Sequence, residues 1–475
     1  MGLVTARLAV VGACFACGAV AAASPLLGAC AKEAPKPSAE PPITIGVSLG
    51  LTKGLASVAA PIRDAIRSAE GEINASGGLL GRRVVFDVVD DGSDEADLAK
   101  SVAQGFADRD VAAVIGPVGS GQVKATQDVL FQKQIIQISP SATSTELTTI
   151  QPAKDRYLFR TTPADDFQGA AVILFATKTP GGLGDAGVGA VGADAGVVGA
   201  TCDKLALVYI DNAYGVPMAK VITDSFPKRG PNKEIVAELK VAVAPASSYA
   251  DVVGPILEKK PQCMALITYD DVAAQFVADL KAAPGYAALD SGFFIIGTDG
   301  VYTSAFLAKS RQDEADDTSA STAEGVFGTN PDTQPGTSEY NRFRTIYSSY
   351  FPLRPTDDAP AFTANAFDAA VLIAFAIQKA GTATDRAAIR DALKEVSAPP
   401  GRPISPSEIT EGLVELRGGG DIDYKGASGN VDFQSNGNVN GGFIVWQAVR
   451  EATTKKIVYK TVARFTTEEL VEQVR

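Results

Sequence analysis

From residue 43 onwards, short apolar runs alternate with longer stretches in which apolar residues recur every three or four positions. The run ITIGVSL precedes such a stretch, SVAAPIRDAIRSAEGEINA, and the runs VVFDVVD, VAAVIG and IIQIS follow with further amphipathic stretches between them. Runs of this kind indicate strands, and the stretches between them indicate helices. Alternation of the two with short loops predicts parallel βαβ units and a doubly wound sheet.

The same alternation begins again beyond residue 163, with the runs LALVYI, EIVAELKV, CMALITY and FFIIG. Two tandem sets predict an α/β protein of two doubly wound parallel-sheet lobes, and 475 residues are enough for two cores. The chain must pass between the lobes several times, so we expect a hinge of several segments. The predicted lobes are 43–162 with 330–426 and 163–329 with 427–475, and the predicted hinges lie near 162–166, 326–332 and 424–432.

Two segments inside these lobes have unusual composition. Residues 178–203 are rich in Gly and Ala, so they offer few side chains for packing and are predicted to form a surface insertion. The apolar stretch AVLIAFAI is too short to cross a membrane and has Asp368 and Lys379 close by. We expect it to be a buried helix that covers the first lobe.

The first 29 residues have the plan of a secretory signal, with Arg7 as the only charge before a long apolar run. The run ends in LLGAC, which resembles the lipobox of bacterial lipoproteins and makes Cys30 the expected lipidated residue. Residues 30–42 would then be an extended Pro-rich tether that holds the protein outside the cytoplasm, at the outer face of a membrane. The alternatives are a plain signal peptide with a chance cysteine and an uncleaved anchor helix.

Two further cysteines, Cys202 and Cys263, stand at or just before the start of a predicted strand. If those strands are neighbours in a parallel sheet, both sulfurs begin at the same edge. The sequence therefore predicts a disulfide between them, which suits an extracytoplasmic protein. Two buried free thiols are the alternative.

The chain has no histidine, which excludes Ser-His-Asp and Cys-His catalytic systems and His-containing zinc sites. It also has no metal signature and no Gly-rich phosphate loop, so we expect no catalytic residues, no metal and no cofactor. The net charge of −12 is spread along the chain and repels phosphate backbones, so nucleic acid is not an expected partner. Among the acids, Asp90 and Asp91 are neighbours on a strand and point to opposite faces, which favours a structural role over a metal or acid–base site.

Ligands of doubly wound sheets bind beyond the carboxyl ends of the strands, where helices begin. Hydroxyl residues follow the strands of the first set there, and aromatic and acidic residues follow those of the second. The first group suits a carboxylate, and the second suits an ammonium and an apolar body. Each residue alone could instead be a helix cap, a turn or a rim residue, but together they predict a site for a zwitterion: Ser120, Ser141, Thr143, Tyr214, Tyr269 and Asp299.

The segments INASGGLLGRRVVFDVVDDGSD, VAAVIGPVGSGQVKAT, IIQISPSATSTELT, YLFRTTPADDFQGAA and FDAAVLIAFAIQKAG resemble, in this order, the leucine/isoleucine/valine-binding protein family. These are periplasmic binding proteins of type I, which close two lobes on a solute and deliver it to the permease and ATPase subunits of an ABC importer. The resemblance covers most of residues 43–460. It implies a binding protein, not an enzyme, with an amino acid as the expected ligand.

The resemblance also assigns roles within the site. Ser120 matches the serine that holds the ligand carboxylate, Ser141 and Thr143 match the pair that holds carboxylate and ammonium, and Tyr269 and Asp299 match groups near the ammonium. Tyr214 matches a cleft aromatic of the second lobe.

The chain departs from the family pattern at three places. Ser57 and Val58 replace an aromatic residue that packs on the ligand, and Asp299 stands where the family often has Glu. The first-lobe disulfide is missing, since Ser93 and Gly119 take its positions. An amide, urea, an aromatic acid or a short peptide is therefore an alternative ligand, and a sensor domain without a transporter is an alternative role.

Overall fold

The computed structural model describes residues 40–177, 202–289, 292–353 and 359–474. The predicted signal segment, Cys30 and all but the last residues of the tether lie outside these ranges. So does the Gly/Ala-rich insertion, except for its last two residues. The described chain forms two α/β lobes, each built on its own mainly parallel sheet, which confirms the predicted fold class.

The first lobe is built on a five-stranded sheet in which all neighbouring strands are parallel. The strands are β1 (Ile43–Leu49), β2 (Val84–Asp90), β3 (Ala113–Ile115), β4 (Ile136–Ser139) and β5 (Leu158–Arg160). They are largely buried, except for the partly exposed β2, and have the order β2-β1-β3-β4-β5, so the chain starts inside the sheet and winds outwards in both directions.

The helices of this lobe are α1 (Ala56–Ala75), α2 (Ala96–Asp108), α3 (Ser120–Gln132), α9 (Ser338–Tyr350), α10 (Thr363–Ala380), α11 (Arg386–Val396) and α12 (Ile409–Arg417). They cover the sheet in two groups, with α1 packing against α10 and α2 against α3. The first 16 residues of α10 are all buried because it lies between the sheet and its neighbouring helices, as the apolar stretch AVLIAFAI predicts. Within the described ranges, no helix combines the length and apolar character needed to cross a membrane. A small parallel pair, β11 (Arg402–Ile404) and β12 (Ile422–Tyr424), lies beside α12.

The second lobe is built on a seven-stranded sheet of β6 (Lys204–Ile210), β7 (Glu234–Val241), β8 (Cys263–Ile267), β9 (Phe294–Gly297), β10 (Phe327–Pro331), β13 (Phe443–Arg450) and β14 (Ile457–Phe465). The strand order in this sheet is β14-β13-β10-β9-β8-β6-β7. The first five of these are parallel, whereas β13 and β14 add an antiparallel edge. The helices are α4 (Asp165–Thr177), α5 (Gly215–Ser225), α6 (Ala250–Glu258), α7 (Asp270–Ala282), α8 (Ser304–Lys309) and α13 (Thr467–Val474).

Cys202 and Cys263 form a disulfide with their Cα atoms 5.7 Å apart. Cys263 begins β8 and Cys202 stands two residues before β6, and these strands are direct neighbours. The two sulfurs therefore meet at the amino-terminal edge of the sheet, at the end opposite to the one from which ligand-binding loops emerge.

Three segments of the described chain connect the lobes: residues 161–164, 332–337 and 425–442. The second differs from the hinge predicted at 326–332, because residues 327–331 form β10 and are paired on both sides, with β9 and β13. A strand held by two neighbours cannot take part in a bend, so the passage between the lobes follows it.

Candidate functional site

The carboxyl ends of both parallel sheets face one cleft between the lobes. Ser120 begins α3 directly after β3, and Ser141 and Thr143 follow β4. From the other lobe, Tyr214 precedes α5, Tyr269 precedes α7 and Asp299 follows β9. The structure thus brings the ends of five strands to the same space.

One cavity in this cleft is lined by all eight residues that the sequence singles out for the ligand. About 450 Å³ between its walls, including the open mouth, contains no protein atom. The lining consists of Gly54, Leu55, Ser57, Val58, Val118, Gly119, Ser120, Ser141, Thr143, Tyr214, Tyr269, Asp270, Asp299, Gly300 and Phe362. The predicted residues therefore share one cavity that opens to solvent.

The hydrogen bonds of the first-lobe hydroxyls define what each can still offer. The Ser120 hydroxyl oxygen accepts the N–H of Ser144 at 3.2 Å, which leaves its own hydrogen free to donate. The Ser141 hydroxyl donates to the carbonyl of Val118 at 3.0 Å, so it can only accept from a guest. Ser120 also opens a 13-residue helix, whose amino-terminal N–H groups favour negative charge.

The second lobe contributes two tyrosines and a carboxylate. The rings of Tyr214 and Tyr269 stack with 5.8 Å between centroids and 5° between planes. The Tyr214 hydroxyl donates to Asp299 Oδ1 at 2.7 Å and lies 2.6 Å from the Thr298 hydroxyl, while Asn212 donates to the Tyr269 hydroxyl at 3.2 Å. These bonds fix the orientation of Asp299 at the cavity wall.

Burial raises the pKa of Asp299 to about 6, although hydrogen bonds from Tyr214 and Gln168 oppose the shift. Burial also raises the pKa of both Tyr214 and Tyr269 above that of a free phenol, so both rings remain neutral near pH 7. The charged groups on the described cavity lining are the carboxylates of Asp270 and Asp299, with no Lys or Arg among them. The wall formed by the second lobe is thus electronegative.

A hydrogen bond joins the two lobes across the cavity. The hydroxyl of Ser57, near the start of α1, donates to Asp270 Oδ2 at 2.7 Å. Asp270 is buried, and Thr303 donates to the same oxygen at 3.3 Å. Ser57 thereby uses its hydrogen on the protein, whereas Val58 is left to contact a guest.

Four lining side chains are not among the predicted ligand-binding residues: Leu55, Val118, Asp270 and Phe362. The first three lie within three residues of predicted positions, so a wider reading of the same loops would include them. Phe362 is different, because it comes from the segment before α10 and has a positive φ of 61°. That conformation is rare for an aromatic residue, and no local pattern predicts it.

Asp90 and Asp91 do not line the cavity. Asp90 accepts the N–H of Leu51 at 2.9 Å, and Asp91 accepts the hydroxyl of Ser48 at 2.9 Å and the N–H of Ser93 at 3.2 Å. Both therefore fasten the loops that follow β1 and β2. Within the described ranges, no group of three or more acids or cysteines is placed to hold a metal ion.

The sequence and the fold both resemble known proteins. The profile of the periplasmic binding protein family matches residues 42–410. A chemotactic signal transduction system substrate-binding protein, BasB of Halobacterium salinarum, is 27% identical over 414 residues, which is 86% of this chain and 87% of BasB.

Two solved structures show the same fold. The leucine-binding protein LivK of Thermotoga maritima has a TM-score of 0.67 at 17% identity, covering 90% of this chain and 99% of LivK. A solute-binding protein of an ABC transporter from Rhodopseudomonas palustris, in complex with 3,4-dihydroxybenzoic acid, has a TM-score of 0.64 at 17% identity and covers 90% and 97%.

Proposed function

Because this chain belongs to the periplasmic binding protein family, we propose that it binds an amino-acid-like solute, of the branched-chain type, for an ABC importer. Proteins of this family bind small molecules such as amino acids, work with ABC transporters and are not enzymes. For this protein, the identity of the ligand and the coupling to a transporter are proposed.

One observation carries the proposal: the cavity has opposite polarity at its two walls. Ser120 offers a free hydroxyl hydrogen at a helix amino terminus, which matches a carboxylate. Asp299 offers a buried carboxylate, and the Ser141 hydroxyl can only accept, which together match an ammonium. A zwitterion with both groups on one carbon satisfies both walls.

The remaining wall suits the side chain of such a ligand. Leu55, Val58, Val118 and Phe362 present apolar surface to the same cavity. Burial of an aliphatic side chain against them is favourable by about 25 cal/mol for each Å² removed from water. Phe362 supplies an aromatic surface that the loop containing Ser57 and Val58 lacks.

Binding would proceed by closure of the lobes. The first lobe captures the ligand, the segments 161–164, 332–337 and 425–442 bend, and the second lobe adds Tyr214, Tyr269 and Asp299. In the closed form Ser57 bonds Asp270, so closure gains an interaction that is independent of the ligand.

We also propose that the protein is a lipoprotein. The support is the signal-like segment 1–29 followed by Cys30 in the sequence LLGAC. A Cys30→Ala variant should fail to incorporate radiolabelled palmitate, whereas wild type is labelled. Labelling of the variant would contradict this part of the proposal.

Two specific observations support alternatives. A protein of the same fold binds 3,4-dihydroxybenzoic acid, and the stacked Tyr214 and Tyr269 pair offers an aromatic surface that such an acid requires. The similarity to BasB, which is named for chemotactic signalling, supports a sensory role in place of import. An amide, urea or a short peptide is a further alternative ligand, since the first loop lacks its aromatic residue.

The proposal is tested by a thermal-shift screen of the twenty standard amino acids, urea, acetamide, dipeptides and hydroxybenzoic acids, followed by calorimetry of each hit. We expect leucine, isoleucine or valine to raise the melting temperature most. Binding of a hydroxybenzoic acid alone would replace the amino-acid proposal with the aromatic-acid one. Binding of no amino acid at all would refute the proposal as stated.

A further inference from the structure

Two buried arginines lie side by side in the first lobe, next to the loop that carries Thr143. Arg156 stands two residues before β5 and Arg160 ends this strand, and their exposed fractions are 1% and 3%. Both donate to Thr148: Arg156 Nη1 to its carbonyl at 3.0 Å and Arg160 Nη2 to its hydroxyl at 2.7 Å. Two positive charges therefore meet at one residue, in a place that water hardly reaches.

The hydrogen-bond partners of both guanidinium groups are neutral. Arg156 donates to four carbonyls, which belong to Leu147, Thr148, Gln151 and Leu158. Arg160 donates to the carbonyls of Ala142 and Ser144, to the Thr148 hydroxyl and to Asn438 Oδ1. Within the described ranges, neither arginine forms an ion pair with a carboxylate.

The positive charge of this pair is therefore poorly compensated. Asp165 and Asp166 act on Arg160 from beyond ion-pair distance, whereas the charge that acts on Arg156 is that of Arg160. Burial lowers the pKa of both arginines to about 10, so both stay charged near pH 7. Buried charges without a counter-ion are costly, and an arginine cannot reduce this cost by losing its proton under these conditions.

A small cavity lies between the two arginines. Gly437 and Asn438 also line it, and Arg156 and Arg160 are the charged groups of its described lining. About 180 Å³ between its walls, including its mouth, contains no protein atom, and its width admits a water-sized particle but no organic metabolite. The cavity is thus a small positively charged space.

Each guanidinium also keeps one donor that no described residue uses. The hydrogen bonds of Arg156 take up its Nε hydrogen, both Nη1 hydrogens and one of the two on Nη2. Those of Arg160 take up the same set. One Nη2 hydrogen on each arginine therefore remains available, and a guanidinium bonds most strongly to an anion.

This cavity lies where the third connection between the lobes, residues 425–442, meets the first lobe. The N–H of Arg160 donates to the carbonyl of Gly437 at 3.0 Å, and its Nε donates to Asn438 Oδ1 at 2.8 Å. Gly437 has a φ of 75°, and a Cβ there would lie 2.8 Å from Arg156 Nε. Both arginines are therefore in close contact with the connecting segment.

We propose that a small monovalent anion, of the size of chloride, binds in this cavity between Arg156 and Arg160. The two remaining Nη2 hydrogens and the positive charge attract the anion, and the width of the cavity excludes gluconate and other organic anions. The bound ion stabilises the attachment of residues 425–442 to β5. This site is separate from the solute cavity and does not depend on the proposed function.

The direct test uses bromide, which occupies chloride sites and can be located by its anomalous scattering. Crystals grown in sodium bromide should contain an anomalous peak between the guanidinium groups of Arg156 and Arg160. A peak there supports the inference. Peaks at exposed positions alone, which would indicate adventitious ions only, or no peak at all would overturn it.

A second test measures melting temperature at a fixed total concentration of sodium salt, in which gluconate is replaced stepwise by chloride. An ion that binds only the folded protein stabilises it, so we expect the melting temperature of wild type to increase by about 2–4 °C. Equal melting temperatures in gluconate and chloride would overturn the inference.

Asn438→Asp should make the protein independent of the ion. It places a carboxylate where Arg160 Nε now donates at 2.8 Å, and the Thr148 hydroxyl can donate to this carboxylate in place of accepting from the amide. In gluconate this variant should melt at a higher temperature than wild type, and chloride should not raise that temperature further.

Asn430→Asp is the matched control, because it makes the same change at an exposed residue of the same connecting segment, outside this cavity. It should keep the response of wild type to chloride. A response of Asn438→Asp equal to that of wild type would overturn the inference. If Asn438→Asp does not fold, the bromide peak in wild type decides.

Discussion

Ser57 in the first lobe donates a hydrogen bond to Asp270 in the second, although the two residues stand 213 positions apart in the sequence. Neither side chain belongs to a hinge segment, so this bond exists only while the lobes are together. It therefore stabilises the closed form of the protein relative to an open one.

Replacing Ser57 with Ala should weaken ligand binding through the closed state. A hydrogen bond to a carboxylate is worth about 1.5–3 kcal/mol, and the remaining bond from Thr303 to Asp270 offsets part of the loss, so we expect a dissociation constant roughly five- to tenfold higher. Calorimetry with the amino acid that binds most tightly in the screen measures this dissociation constant. The exposed Ser101→Ala on α2 is the control, and equal affinities of both variants would contradict a role in closure.

Asp299→Asn should weaken binding of an amine-bearing ligand more strongly than the Ser57 variant. The amide keeps the size of the side chain and an acceptor for Tyr214, but it removes the negative charge that faces the ammonium. We expect a loss of roughly 10- to 100-fold in affinity. Asp271→Asn, which lies outside the cavity and pairs with Lys309, is the control. Unchanged affinity for Asp299→Asn would remove this residue from the ammonium site.

The Cys202–Cys263 disulfide should stabilise the second lobe. It closes a loop with a sequence separation of 61 residues, and a cross-link of that length typically contributes about 2–4 kcal/mol, largely by restricting the unfolded chain. The double variant with Ala at both positions should melt at a lower temperature in calorimetric scans. Wild type in dithiothreitol should have the same lowered melting temperature as the double variant. If dithiothreitol lowered the melting temperature of the double variant as well, the loss would not come from this disulfide.

Asp91 gives a prediction about pH and stability. Burial raises its pKa to about 6, against the hydrogen bonds from Ser48 and Ser93. A folded-state pKa above the unfolded value means that this group stabilises the fold most below about pH 4 and that this contribution is lost as the pH rises through about 6, up to roughly 3 kcal/mol.

Asp91→Asn removes that titration. Its melting temperature relative to wild type should therefore increase between pH 4.5 and pH 7.5. The exposed Asp97→Asn on α2 is the control and should follow wild type. A constant difference between Asp91→Asn and wild type across this range would show that Asp91 titrates normally in the folded protein.

The two lobes and the position of the cavity could be predicted from the sequence because both depend on patterns within short segments of the chain. Each loop that carries Ser120, Thr143, Tyr269 or Asp299 follows a strand that the apolar pattern identifies, and the carboxyl ends of parallel strands meet at one edge. Only the placement of the two sheets on opposite sides of one cleft depends on contacts between residues far apart in the sequence.

Phe362 escaped prediction because it reaches the cavity from the segment before α10, far along the chain from the other lining loops. The hydrogen bond from Ser57 to Asp270 likewise depends on how the two lobes lie together, which no local pattern indicates.

The three connections between the lobes have a mechanical consequence. Two lobes joined by one segment can twist, slide and rotate against each other, whereas three connecting segments restrict twisting and sliding and leave mainly a hinge rotation. Any guest that brings the lobes together must then produce nearly the same final arrangement of their outer rims. A protein that recognises those rims would read whether the cleft is filled, not which molecule fills it.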